Sequence, residues 1–285
     1  MMQKFCFAPI LLGILIVAPA AFGHGFSGKR FFPATLNIED SFVAPELDFL
    51  FTNNREDGVY TSELEAEFAK PLTDDFQLSI GTDYAHLNPP AGPALNGFGN
   101  FEVGAKYQAF IDGKAESALA VGLEAEVGNT GSERVGAESF SVVSPAVYYS
   151  KGFGNLSTGW LRPLAITAQV APTFPTNGGE PHTLEWGFTL QYSLPYLESF
   201  VKDTGLPAPF RNMIPIVEFP METCLDRGCS GETTGTINPG IIWVGKQSQL
   251  AFELVIPVND HSGSHVGFQL QYHLYLDDIF PSWGR

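Results

Sequence analysis

Residues 266–275, VGFQLQYHLY, alternate without a break: Val266, Phe268, Leu270, Tyr272 and Leu274 stand against Gly267, Gln269, Gln271 and His273. Such alternation puts apolar side chains on one face of an extended strand and polar ones on the other. The same period of two runs back to Glu46, in segments of about ten residues separated by Gly, Pro, Asn and Asp clusters. Leu47, Phe49 and Phe51 share a face in the first segment. Tyr60, Leu64 and Phe68 oppose Glu63, Glu65 and Glu67 in the second, and Leu184, Trp186, Phe188 and Leu190 oppose Glu185, Gly187, Thr189 and Gln191 much later. Three regions, roughly 139–151, 212–221 and 235–246, alternate less cleanly. Counting them gives about twelve strands. No amphipathic helix of comparable strength is present.

Alternation does not say which face meets water, because a soluble sandwich or lipocalin-like barrel alternates too. Three features favour the inverted arrangement. The polar face is built from Gly, Ala, Ser, Thr, Gln and Glu, where a water-washed exterior would carry more Lys and Arg. The segment length suits a tilted strand crossing a bilayer. Connections alternate between short ones, near Pro71–Asp75, Asp112–Lys114 and Lys246–Ser248, and six longer ones. The expectation is one all-β domain over residues 46–285, a transmembrane antiparallel β-barrel of about 12 strands. Both termini then lie on one side, and closure leaves no strand edge unpaired in lipid. Residues 195–211 break the alternation of loop lengths; Tyr196, Phe200 and Val201 suit a short helix ended by Gly205 and Pro207.

The first 23 residues read as a secretory signal peptide. Met1–Lys4 carries one positive charge, Phe5–Val17 is almost wholly apolar, and Ala21 and Gly23 suit cleavage before His24. The expected location is therefore the Gram-negative cell outer membrane, with outer-membrane lipids and lipopolysaccharide as surroundings. Charged residues are 16% of the chain, below the roughly 25% of ordinary soluble domains. The net charge of −16, from 15 Lys and Arg against 31 Asp and Glu, argues against a nucleic-acid partner. Cys6 leaves with the signal, so Cys224 and Cys229 remain and read as a disulfide in an oxidising compartment.

Several blocks together carry a family resemblance: HGFSGKRFFPATL at 24–36, GFGNFEVGAKYQ at 97–108, SLPYLESFVKDTGLPAPF at 193–210, TTGTINPGIIW at 233–243 and YHLYLDDIF at 272–280. The chain resembles the outer-membrane β-barrels of the MetA-pathway of phenol degradation family, with Gly97, Phe98, Gly99, Gly104, Lys106 and Tyr107 carrying most of the likeness. The resemblance implies a porin-like transporter for small molecules, hydrophobic or aromatic ones among them. It supplies no catalytic residues. In one departure from many outer-membrane barrels, which end on an aromatic residue, Phe280 is followed by Pro-Ser-Trp-Gly-Arg.

Strand parity turns Glu63, Glu65, Glu67, Asp83, Glu102, Glu124, Glu126, Glu185 and Glu253 into the lumen, with Lys106 the clearest cation among them. Two readings stand: a cation-selective lumen, since charged rings repel co-ions, or simply a hydrated interior. The segment 24–45 precedes the first strand and holds Lys29, Arg30, Phe31 and Phe32. It reads either as a plug whose cations face the lumen carboxylates or as a tail resting on the rim. Charge complementarity and the cost of exposing clustered aromatics favour the plug.

His86, His182, His261 and His265 fall at or beside outer loops, and the HxxxH spacing of the last two would suit a metal only on a helix. No metal or other cofactor is expected. No GxSxG elbow, Walker loop or dinucleotide fingerprint occurs, so no catalytic residues are assigned. The alternatives to a channel are an outer-membrane lipid hydrolase, for which His273 is the inward histidine, and a non-transporting structural barrel.

Overall fold

The structure, a computed structural model, describes residues 25–56, 58–229, 231–280 and 282. The expected signal peptide lies outside them. A small hairpin, β1 (Phe26–Ser27) and β2 (Arg30–Phe31), comes first. An irregular segment then leads to the barrel strands: β3 (Glu46–Glu56), β4 (Val59–Thr73), β5 (Phe76–Asn88), β6 (Leu95–Phe98), β7 (Phe101–Asp112), β8 (Ser117–Val127) and β9 (Val142–Gly152). β10 (Leu164–Pro175), β11 (Thr183–Tyr192), β12 (Met213–Cys224), β13 (Thr233–Val244), β14 (Ser248–Pro257) and β15 (Gly267–Tyr275) complete it.

Apart from β6 and β7, which both pair with β5, each barrel strand pairs antiparallel with the next, and β15 returns to β3 from Phe268↔Asn53 to Tyr275↔Glu46. The result is a closed barrel of twelve strand positions, as the periodicity predicts. β6 and β7 share one position: β5 pairs with β6 at one end and β7 at the other, the two being separated at Gly99 and Asn100. The end where β3 begins and β15 finishes is the lower end here.

The apolar face is the outer one. Leu64, Ile80, Val103, Leu123, Leu190, Leu250 and Tyr272 keep 41 to 51% exposure, whereas Gln77, Gln108, Thr167, Thr189, Gln191, Gln249 and Gln271 are buried inside. A water-soluble barrel has the reverse polarity, so this exterior suits hydrocarbon.

Five of the six links expected to be long lie at the upper end as loops, whereas the first is a tight turn, since pairing of β3 with β4 continues to Glu56↔Val59. The disulfide between Cys224 and Cys229 closes part of the link joining β12 to β13. At the lower end, the link 193–212 begins with α1 (Leu194–Tyr196), whose N-terminus is capped by the Ser193 hydroxyl accepting from Tyr196 N at 3.2 Å. It continues as a π-turn over Leu197–Val201. Tyr196 and Leu197 are buried there, whereas Phe200, placed by the sequence on the same face, is exposed. A second long lower link, 153–163, is not anticipated by the sequence reading.

Residues 34–40 of the N-terminal arm, 25–45, lie inside the barrel, while its hairpin sits at the lower end. This arm explains two of the three irregular regions, those of β12 and β13. Leu36 packs on Ile214, Ile216, Ile242 and Ala251, so β12 and β13 turn isoleucines inward where polar residues would otherwise stand. Phe32 and Phe42 pack on Ala118 and Ala165, small residues that leave room for two rings. In β9 the inward side chains Ala146 and Tyr148 cluster with Ala120 and Ala171. Gly187 of β11 is similarly small for a reason: a Cβ there would lie 2.5 Å from Ile38 Cδ1.

Candidate functional site: the barrel interior

The arm is held by hydrogen bonds from side chains around the wall. Asn37 N donates to Glu218 Oε2 at 2.9 Å, and Asn37 Nδ2 lies 2.7 Å from Glu218 Oε2, 3.1 Å from Glu253 Oε2 and 2.9 Å from Gln269 Oε1. Wall glutamines serve the arm backbone: Gln169 Oε1 accepts from Glu39 N at 2.6 Å and Gln77 Oε1 from Ala44 N at 2.9 Å. Gln249 and Gln271 donate to the carbonyls of Ala34 and Thr35 at 2.5 and 3.2 Å. An irregular segment inside a barrel exposes many peptide groups, and amide side chains, as both donors and acceptors, satisfy either kind.

Above and beside the arm remains a cavity of about 620 Å³. Residues 34–40 form one side, and of the sequence-predicted lumen residues Glu63, Glu65, Glu67, Glu102, Glu124, Glu185 and Lys106 line it. Five further carboxylates, Glu39, Asp40, Glu46, Asp48 and Glu222, line it unpredicted by sequence. Lys106 forms an ion pair with Glu39 of the arm and donates to the carbonyls of Asp40 and Phe42 at 3.2 and 3.3 Å. Its ammonium is therefore engaged by the arm. Tyr148 donates its hydroxyl to Glu124. The arm's own Asp40 has its carboxyl pushed up to about 7 by burial, with the Lys106 ammonium acting in the opposite direction.

Other predicted lumen residues sit elsewhere. Glu253 points inward but is fully buried, meeting Asn37 instead of the cavity. Glu126 accepts from Asn100 Nδ2 at 2.7 Å near the upper end. Asp83 stands against Gly99, where any Cβ would collide with its carboxylate. Asn100 goes further: its Oδ1 accepts from Gly131 N at 2.8 Å and Thr130 N at 3.1 Å, and its Nδ2 donates to Glu138 O at 2.9 Å. The GFGN stretch thus ties the upper link 128–141 to the junction of β6 and β7.

The arm cations do not face the carboxylate-lined cavity, which corrects the expected charge pairing. Arg30 is fully buried at the lower end; its Nε lies 3.2 Å from Glu116 Oε2, and its other nitrogens donate to the carbonyls of Pro163 and Arg162. Lys29 Nζ lies 5.3 Å from the centroid of the Phe200 ring. Phe31 packs edge-on to Tyr275. The physical reason is the hairpin: Ser27↔Arg30 pairing fixes both cations at its tip, while the chain entering the interior is the later Ala34–Asp40 stretch.

The loop histidines have separate partners. His182 Nδ1 lies 2.8 Å from Asp226 Oδ2, His86 meets Asn96, His261 meets Glu232 and His265 meets Ser264. The backbone N–H of His182 holds the Asp226 carboxyl below the usual range. His273, buried low in the barrel, lies 3.1 Å from Asp48 Oδ1 and 3.2 Å from Glu46 Oε2. Its ring nitrogens face carboxylates, which is no arrangement for activating a serine. Among the described residues, no group of three or more His, Cys, Asp or Glu side chains is placed to hold a metal ion.

The closed twelve-stranded barrel with an apolar exterior and a polar, partly filled interior has the fold of outer-membrane channels. The COG4313 outer membrane channel from Pseudomonas putida F1 superimposes with a TM-score of 0.54 at 12% identity, covering 86% of this chain and 99% of that one. The KdgM porin (TM-score 0.47, 14% identity, 80% of this chain and 98% of that one) and the NanC porin (0.47, 8%, 80% and 98%) are looser matches that carry no argument. No family model matches the sequence, so membership of the MetA-pathway of phenol degradation family is not confirmed. No curated protein matches it either.

Proposed function

We propose that this chain is an outer-membrane channel for small molecules, seated among outer-membrane lipids and lipopolysaccharide, with residues 25–45 as a resident plug. The observation that carries the reading is the interior itself. A barrel with lipid-compatible walls encloses a cavity of about 620 Å³ bordered on one side by a segment that is not part of the wall. The fold shared with an outer membrane channel supports the same reading.

The wall chemistry favours cationic cargo. Glu63, Glu65, Glu67, Glu102, Glu124 and Glu185 line the cavity, and Lys106 is engaged by the arm. Rings of carboxylates attract cations and repel anions in a low-dielectric wall. Aromatic cargo has the family resemblance of residues 97–108 and their companion blocks as its support.

The test is single-channel conductance of the refolded mature protein, with and without residues 24–45. The expected result is a small current that rises and becomes cation-selective when the arm is deleted. Silence from the arm-less protein, with a heat-modifiable barrel confirmed on gels, would overturn the channel and favour a structural barrel.

A further inference from the structure

The lower rim holds a second cavity, about 290 Å³, built where four segments meet. Gly28 and Lys29 enter from the arm hairpin, Lys114 and Glu116 from the β7–β8 turn, Arg162 from the link 153–163, and Phe200 from the link after β11. Gly28 has φ +63°, and a Cβ there would collide with the Gly113 backbone, so the hairpin tip is wedged against the turn.

The charges in this cavity do not balance. Glu116 is the carboxylate in its lining, and its oxygens are already used: Arg30 Nε at 3.2 Å, Gly154 N at 3.0 Å and the Tyr196 hydroxyl at 2.8 Å. Among the described residues, neither Lys29 nor Lys114 forms an ion pair, the Asp112 carboxylate beside Lys114 standing outside the cavity lining, and Arg162 Nε donates to the Leu156 carbonyl at 2.7 Å. Three cations therefore surround one small space in a chain whose net charge is −16. Cations left together without a counter-charge favour an anion among them.

We propose that this rim cavity binds a small oxyanion of the phosphate type, and that the bound anion fastens the arm. Lys29 belongs to the arm, whereas Lys114 and Arg162 belong to the barrel, so the site is complete only with the arm in place. A ligand that binds one state alone shifts the equilibrium toward it. The coupling rests on the reading of residues 25–45 as a plug; the binding site itself does not.

The experiment titrates the full mature chain in detergent with inorganic phosphate, followed by calorimetry, with sodium chloride at matched ionic strength as control. Saturable binding is expected, weakened at least tenfold by Lys29→Ala and by the Lys114→Ala/Arg162→Ala pair. Lys29 and Lys114 are exposed, so melting of Lys29→Ala is expected to be unchanged, whereas the pair variant also loses the half-buried Arg162 bond to the Leu156 carbonyl. Hydrogen exchange of amides 25–36 should slow several-fold with phosphate in the parent chain and not in the variants. Absence of saturable binding, or equal binding in the variants, overturns the site. Binding that depends on Lys29 without slowing arm exchange overturns the coupling and leaves the site standing. A channel that conducts freely with the arm protected would instead remove the plug reading, independently of phosphate.

Discussion

Lys106 points inward from β7 and forms its ion pair with Glu39 of the arm, while wall carboxylates line the same cavity. A wall cation thereby secures the arm, and the arm's own acids complete an acidic interior.

Replacing Lys106 by Met should loosen the arm. It removes a charge that Glu39 and the carbonyls of Asp40 and Phe42 share. Breaking a fully buried pair costs roughly 3–5 kcal/mol; with Glu39 side-chain exposure at 40%, about 2 kcal/mol is expected. Hydrogen exchange of the arm amides should rise about 30-fold, with strand amides unchanged. Unchanged arm exchange would show that the pair contributes nothing to docking.

Docking should also weaken as pH rises. Asp40 has its carboxyl pushed up to about 7 in the docked arm, against an ordinary 3.8. Its surroundings are the Lys106 ammonium and the Glu39 and Glu46 carboxylates. Because the docked state holds its proton more tightly, docking loses stability between about pH 4 and 7 and the loss is complete above that window. Arm amides should exchange faster at pH 8 than at pH 5 after correction for intrinsic rates, and Asp40→Asn should flatten the difference. Better protection at the higher pH would refute this sign.

Leu36→Asp should release the arm without opening the barrel. Leu36 is 7% exposed against Ile214, Ile216, Ile242 and Ala251. Truncating such a side chain costs about 2–5 kcal/mol, and a carboxylate there adds a desolvation penalty. Conductance should approach that of the arm-deleted protein while the folded band on unheated gels persists. If the current stays at the parent level, this contact does not hold the plug.

Asn100→Ala should free the upper link. The substitution removes hydrogen bonds to Thr130 N, Gly131 N, Glu138 O and Glu126 Oε1. With net values near 1 kcal/mol per bond, about 4 kcal/mol of local stability is expected to go. Proteolysis within 128–141 should accelerate, and arm exchange should not. A link as resistant as the parent's would assign the Asn100 contacts no part in holding it.

The strands were legible because a two-residue period survives wherever a strand has lipid on one side and polar groups on the other. Glu63, Glu65 and Glu67 could be placed inside from parity alone. Two of the three blurred regions, in β12 and β13, were blurred by the arm, since Ile214, Ile216 and Ile242 answer to Leu36. Parity turns Glu253 inward but carries no information on depth, so its burial under Asn37 could not be read. Asn37, Glu39 and Asp40 went unassigned because an irregular segment has no period to say which wall residue it meets. The link 153–163 was missed for a related reason: between two strands, Trp160 and Leu161 give no regular pattern. Inward glycines were the one available hint, since Gly187 marks where Ile38 needs room.

The partners of Asn37 bear on how such a barrel is made. It joins Glu218, Glu253 and Gln269, which lie 181, 216 and 232 residues further along the chain. The segment that leaves the ribosome early thus finds its final contacts on β12, β14 and β15, among the last strands to arrive. Contacts of such sequence separation form late, because the intervening chain must first be ordered. A seated arm is in that sense a certificate of closure: the passage is stoppered by the event that completes it, so a half-assembled barrel has no means of holding its own stopper.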